Sequence, residues 1–197
     1  MKTFRDIQGK YREEIDYHIT LENRGGAIII LAPHGGGIER GTSEIANAIA
    51  GDDLSYYIFK GLMSTAHESR KLHIISTRFD EPRCLEIIRG FRTALAIHGC
   101  CGSEQMIYVG GNDNELKWML ITELGAKGHP VQLGTEKYAG SFPSNICNRT
   151  STGKGVQIEL SNGLRRLLFD NWQTRKGRKI TTNMFDELVF DIRESIG

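Results

Sequence analysis

Residues 27–50 read AIIILAPHGGGIERGTSEIANAIA, and their interpretation decides the fold. The run 27–32 is continuous and rich in β-branched residues, as in a strand covered on both faces of a parallel or mixed sheet. Pro33 cannot donate to a ladder and is expected to end it. His34 follows, then Gly35, Gly36 and Gly37, which let the backbone double back where a side chain would clash. Thr42 or Ser43 supplies an N-cap oxygen, and Ile45, Ala48 and Ile49 give one buried helical face. Polar residues are thus delivered to the end of a buried strand, where α/β proteins keep their sites. His34 and Glu39 do not stack on one helix face at this spacing, yet a glycine turn can fold both onto one point. Two ligands of one metal ion is one interpretation. A structural histidine beside an anion-binding glycine loop is the other, and residues elsewhere must decide between them.

The whole chain sets bounds. Its 197 residues, 39% of them hydrophobic, suit one domain spanning 1–197 with a real core. Lys+Arg of 25 against Asp+Glu of 24 leaves a net charge of +1, so no global field attracts a polyanion and nucleic acid is not an expected partner. Any anionic ligand must be gripped locally. No apolar run approaches the roughly 18 residues of a membrane span, and the opening MKTFRDIQGKYREEID lacks a signal-peptide core. The expectation is a cytosolic product, without a membrane partner, that acts as a monomer and that lysis could release. Cys84, Cys100, Cys101 and Cys147 form no CxxC pair and are expected to be reduced.

On either side of the opening stretch, helical and strand patterns alternate. Tyr11, Ile15 and Ile19, spaced by four, suggest a short amphipathic helix before the first strand. Strands are expected at 55–60 (SYYIFK), 72–77 (LHIIST), 92–97 (RTALAI), 106–109 (MIYV), 130–133 (PVQL) and 155–160 (GVQIEL). Helices are expected after Glu81-Pro82, over 115–126 behind an Asn112 cap, from Asn162 through Phe169, and over 185–195. Residues 134–154 lack periodicity, which at this length suggests a functional loop. The succession predicts a three-layer α/β/α fold with a mixed sheet.

Three strand ends now carry polar residues: His34 with Glu39, His98, and Glu159. In a sheet covered on both faces these ends lie side by side. Two histidines and a carboxylate form a catalytic zinc set that leaves a fourth position for water. A second carboxylate is needed to take the water's proton, and Glu159 is placed for that task. A salt-bridged strand-end carboxylate is the competing interpretation of Glu159.

APHGGGIERGTSEIA, TRFDEPRC, AIHGC and NRTSTGKGVQIELS, in that order along residues 27–162, resemble the poly-γ-glutamate hydrolase family of phages and bacilli. The resemblance implies a trimmed zinc-carboxypeptidase-like fold and one zinc ion per chain, with His34, Glu39 and His98 as ligands and Glu159 as general base. It also implies an anionic poly-γ-glutamate substrate, in which a free α-carboxylate accompanies every amide. A guanidinium grips such a carboxylate bidentately, and Asn148-Arg149 looks like the Asn-Arg pair with which carboxypeptidases hold one. Arg78 and Arg83, flanking FDEP, are further candidate contacts. Two alternatives remain: a zinc deacylase of small N-acyl amino acids, and a non-catalytic anion-binding module built on the glycine loop. A serine hydrolase is excluded because the chain contains no GxSxG elbow.

Overall fold

The computed structural model describes residues 2–197. Its centre is a seven-stranded mixed sheet in the order β1-β3-β2-β4-β7-β5-β6. In chain order these are β1 (Tyr17–Glu22), β2 (Ile28–Gly36), β3 (Ser55–Gly61), β4 (Thr93–Cys100), β5 (Ile107–Gly111), β6 (Val131–Leu133) and β7 (Val156–Ser161). The helices are α1 (Phe4–Gln8), α2 (Thr42–Ala50), α3 (Ala66–Arg70), α4 (Pro82–Ile88), α5 (Asn114–Ala126), α6 (Asn162–Leu167) and α7 (Asn183–Ile196).

β2 explains why its sequence is continuously apolar. Ile30 and Ala32 belong to a core built with α2, α5, α6 and α7, whereas Ile29 and Leu31 point into a second core with α1 and α4. Both faces are therefore covered, and each fully buried Ile or Leu contributes about 1.5–3 kcal/mol. The expected three-layer α/β/α arrangement is present. β2, β4 and β7 run parallel, so their C-terminal ends share one edge of the sheet.

Several local expectations are corrected. The N-terminal helix read from Tyr11, Ile15 and Ile19 is absent, because 17–22 pairs antiparallel with β3. There Tyr17 and Ile19 are buried in strand alternation while Ile15 is exposed, so a long-range ladder overrides the spacing of four. The strand expected at 72–77 is a turn ending in a 3₁₀ helix at Ser76–Arg78. Leu72 and Ile74 are buried and mimic strand alternation, but no partner strand is there to receive the segment. Pro33 interrupts the ladder without ending it: pairing with β3 shifts register between Ala32 and Gly35 and then resumes. The caps fall on neighbours of the expected residues. Gly41, at φ 92°, precedes α2, Asp113 caps α5 and Ser161 caps α6.

Candidate metal centre

β2 leads to β3 on one side, and the chain then crosses back to β4 on the other, which opens a crevice beyond the ends of β2 and β4. His34 lies near the end of β2, Glu39 in the turn after it, and His98 near the end of β4. Glu159, on β7, is the register partner of His98.

His34 Nδ1 stands 3.0 Å from Glu39 Oε1 and 3.2 Å from His98 Nδ1. His98 Nδ1 is 3.6 Å from Glu39 Oε2, and one donor atom from each of the three residues lies within 4.8 Å of the others. His34 Nε2 donates to the Ile74 carbonyl at 2.6 Å, which leaves the Nδ1 lone pair of the neutral ring facing the cluster. The segment misread as a strand therefore supplies the carbonyl that orients a candidate ligand. The Gly99 N–H donates to Glu39 Oε2 at 2.8 Å, and the Glu39 N–H donates to the His34 carbonyl at 2.8 Å, closing the turn. Gly36 makes this path possible. Its φ is +67°, and a Cβ there would collide with the Gly61 carbonyl.

Charge is tightly coupled in the cluster. Burial would raise the Glu39 carboxyl, but attraction to His34 and contacts with His73 and His98 hold it well below the ordinary range. Burial depresses His34, reinforced by the neighbouring His73 and His98. Burial also opposes protonation of His98, yet Glu39 and Glu159 outweigh it and raise this histidine. Glu159 is raised chiefly by burial and further by Glu39. Two imidazole nitrogens and an ionised carboxylate converging in a buried place suit a divalent ion such as zinc. The donor set therefore fits the metal. His98 Nε2 is buried and without a hydrogen-bond partner among the described residues, so the Nδ1 side alone ties this ring to its neighbours.

The cluster opens into a cavity of about 270 Å³ shared by His34, Glu39, His98 and Glu159. His73 lines it too and escaped the sequence reading. Its ring stacks on His34 at 4.1 Å, and its Nε2 is 3.6 Å from Glu39 Oε1. The only signal was a histidine within an apolar alternation, which a strand interpretation absorbs.

The other candidates do not line the cavity. Asn148 is buried and its side chain is committed: Oδ1 accepts from the Asn112 N–H, while Nδ2 donates to the carbonyls of Gly140 and Phe142 at 2.7 and 2.9 Å. It thereby holds the loop whose Gly140 and Phe142 line the cavity. Arg149 is half-buried, its side chain makes no hydrogen bond or ion pair among the described residues, and it does not line the cavity. Arg78 is exposed at the end of the Ser76–Arg78 turn, which packs against Ile146–Asn148. Arg83 is occupied by Glu13 at 2.9 Å and Glu81 at 3.0 Å, so it offers no spare contact. All four cysteines are free.

A mixed-sheet α/β protein with a His-Glu-His donor cluster at its strand ends is the class that these features define. The sequence pattern of the poly-γ-glutamate hydrolase family matches residues 1–190, so the chain belongs to that family and is a hydrolase. YndL of Bacillus subtilis (strain 168) is 38% identical over 181 residues, spanning 89% of this chain and 70% of YndL. The structure of a bacteriophage poly-γ-glutamate hydrolase superposes with a TM-score of 0.94 at 29% identity, covering 100% of this chain and 95% of that one. The apo, zinc-free structure of YndL superposes at 0.93 with 33% identity, covering 100% and 96%. Among the described residues no helix is long and apolar enough to cross a membrane.

Proposed function

We propose that residues 1–197 form one zinc hydrolase domain that cleaves the γ-glutamyl amide bonds of poly-γ-glutamate. The observation that carries this reading is the convergence of His34 Nδ1, His98 Nδ1 and the Glu39 carboxylate, with the half-buried Glu159 on the same cavity wall. The family match and the likeness to a zinc-free form of YndL support it.

In this reading His34, Glu39 and His98 hold one zinc ion. When bound, it supplies Lewis acidity, polarising the scissile carbonyl and bringing a water's pKa toward about 7. Glu159, raised by its burial, takes the proton from the water and passes it to the leaving nitrogen. Arg149, whose guanidinium is uncommitted, binds an α-carboxylate of the substrate, and the exposed Arg78, next in the chain to the cavity-lining Thr77, adds a second positive charge. Asn148 contributes by holding the loop of Gly140 and Phe142.

The test is to treat the purified protein with chelator and follow the size of poly-γ-glutamate. Cleavage should stop on chelation and return with zinc. A wild-type protein that leaves the polymer intact but hydrolyses an N-acyl-glutamate would replace this reading with a small-molecule deacylase.

A further inference from the structure

A second cavity, of about 570 Å³, adjoins the first and shares Glu39 and His73 with it. Arg40, Arg70 and Arg165 line this cavity beside Trp172. A further hollow of about 300 Å³ shares Gly37, Arg40 and Ala66 with it and adds Arg175 and Arg178. The hollows run on from one another as a trough that starts at the metal centre.

The trough is strongly positive in a chain whose net charge is only +1. Among the described residues Arg40 and Arg70 make no side-chain hydrogen bond or ion pair, and the one carboxylate on the wall of the second cavity belongs to Glu39. Arg165 is buried and bound to neutral partners, the carbonyls of Leu160, Arg40 and Cys100 and the side chain of Asn162. No carboxylate pairs with it directly, although Glu39 and Glu159 lie near enough to act on its charge. Of the five arginines only Arg178 is matched, by Glu44 at 2.8 Å. The guanidinium of Arg40 sits over the Trp172 ring at 5.8 Å, which keeps this cation raised on the wall of the trough. A concave wall of one sign focuses its field on an anion of the opposite sign.

We propose that this trough is a second carboxylate subsite, in which Arg40 and Arg70 hold α-carboxylates of glutamyl units on one side of the scissile bond. The proposal rests on the γ-glutamyl reading of the centre. A polymer with one free carboxylate per unit, threaded past the metal ligands, presents successive anions to successive arginines. Arg165 forms the floor, packed against Gly99, and serves as a fixed background charge.

The test measures binding of a γ-linked glutamate oligomer, with a γ-glutamyl dipeptide too short to enter the trough as comparison. The Arg40→Gln/Arg70→Gln variant should bind the oligomer about tenfold more weakly or worse, with a shallower salt dependence and unchanged affinity for the dipeptide. Arg40→Lys/Arg70→Lys should recover part of the loss, and Arg70→Gln alone, altering an exposed side chain, should show part of the effect in a fully folded protein. Unchanged oligomer affinity, or an equal loss for oligomer and dipeptide, overturns the subsite, as does a wild-type protein that binds no oligomer. A wild-type protein that binds the oligomer without shortening it instead sinks the hydrolytic reading and leaves the subsite standing.

Discussion

His98 on β4 and Glu159 on β7 are register partners in adjacent parallel strands. The sheet alone sets their separation, with strands about 4.8 Å apart, so a residue suited to hold a metal and one suited to move protons share one rigid support. Glu159→Gln should therefore keep the zinc content of the protein and lower kcat by about 10²- to 10⁴-fold. Metal analysis beside steady-state kinetics checks this, and near-normal kcat in the zinc-loaded variant rules Glu159 out as the base.

Metal binding should be visible in stability. Zinc at about a hundred times its dissociation constant stabilises the folded state by about 2.7 kcal/mol, so the wild-type melting temperature should rise with added zinc. His98→Ala removes one of the three converging donors and should flatten that response. A variant that still takes up one zinc per chain with a wild-type melting shift would contradict the ligand assignment.

Acid should strip the metal at a mild pH. His98 is raised above its ordinary 6.5 by Glu39 and Glu159, so a proton competes for its nitrogen at a higher pH than at an ordinary histidine. The depressed His34 holds its proton only at lower pH and is the weaker competitor. Zinc retention should therefore be complete in mild alkali and decline as pH falls through the raised His98 value. Dialysis at a series of pH values followed by elemental analysis reads this directly; constant occupancy down to pH about 5 speaks against it.

His73→Phe preserves a ring to stack on His34 and removes the nitrogen that faces Glu39. Zinc content should stay near wild type while kcat/KM falls by about tenfold, the worth of one charge-assisted contact. Loss of the metal in this variant would make His73 a ligand in its own right.

Gly36→Ala places a Cβ against the Gly61 carbonyl at a positive φ. A cost of about 1–3 kcal/mol from the backbone conformation alone is expected, with a lower melting temperature and weaker zinc binding, because the turn from His34 to Glu39 is displaced. Thermal unfolding of the variant, with and without zinc, separates the two effects.

The parts of the fold that are legible in the sequence share one property: their signals are local. An apolar run such as 28–32 can satisfy its surroundings only between two covered faces, and Pro82 in a first helical turn marks a helix start whatever lies around it. The candidates His34, Glu39, His98 and Glu159 stand out in the sequence for the same reason, since each lies near the end of a recognisable strand or follows one.

Other features depend on partners distant in sequence. Tyr17 and Ile19 became a strand because β3 offered an open edge, and Leu72 and Ile74 did not because no strand lay beside them. Asn148 looked like a substrate contact until its amide proved to be spent on Gly140 and Phe142. Arg40 and Arg70, unremarkable in a chain of balanced charge, gain meaning only where folding sets them beside Arg165 on the wall of one cavity, without a carboxylate paired to either side chain. The sequence by itself determined which strands are buried and which donors stand at their ends, because burial pattern and turn chemistry are written in neighbouring residues. The tertiary structure alone decided which polar groups remain unspent and which charges face one hollow, because hydrogen bonds and fields depend on distances that chain order does not specify.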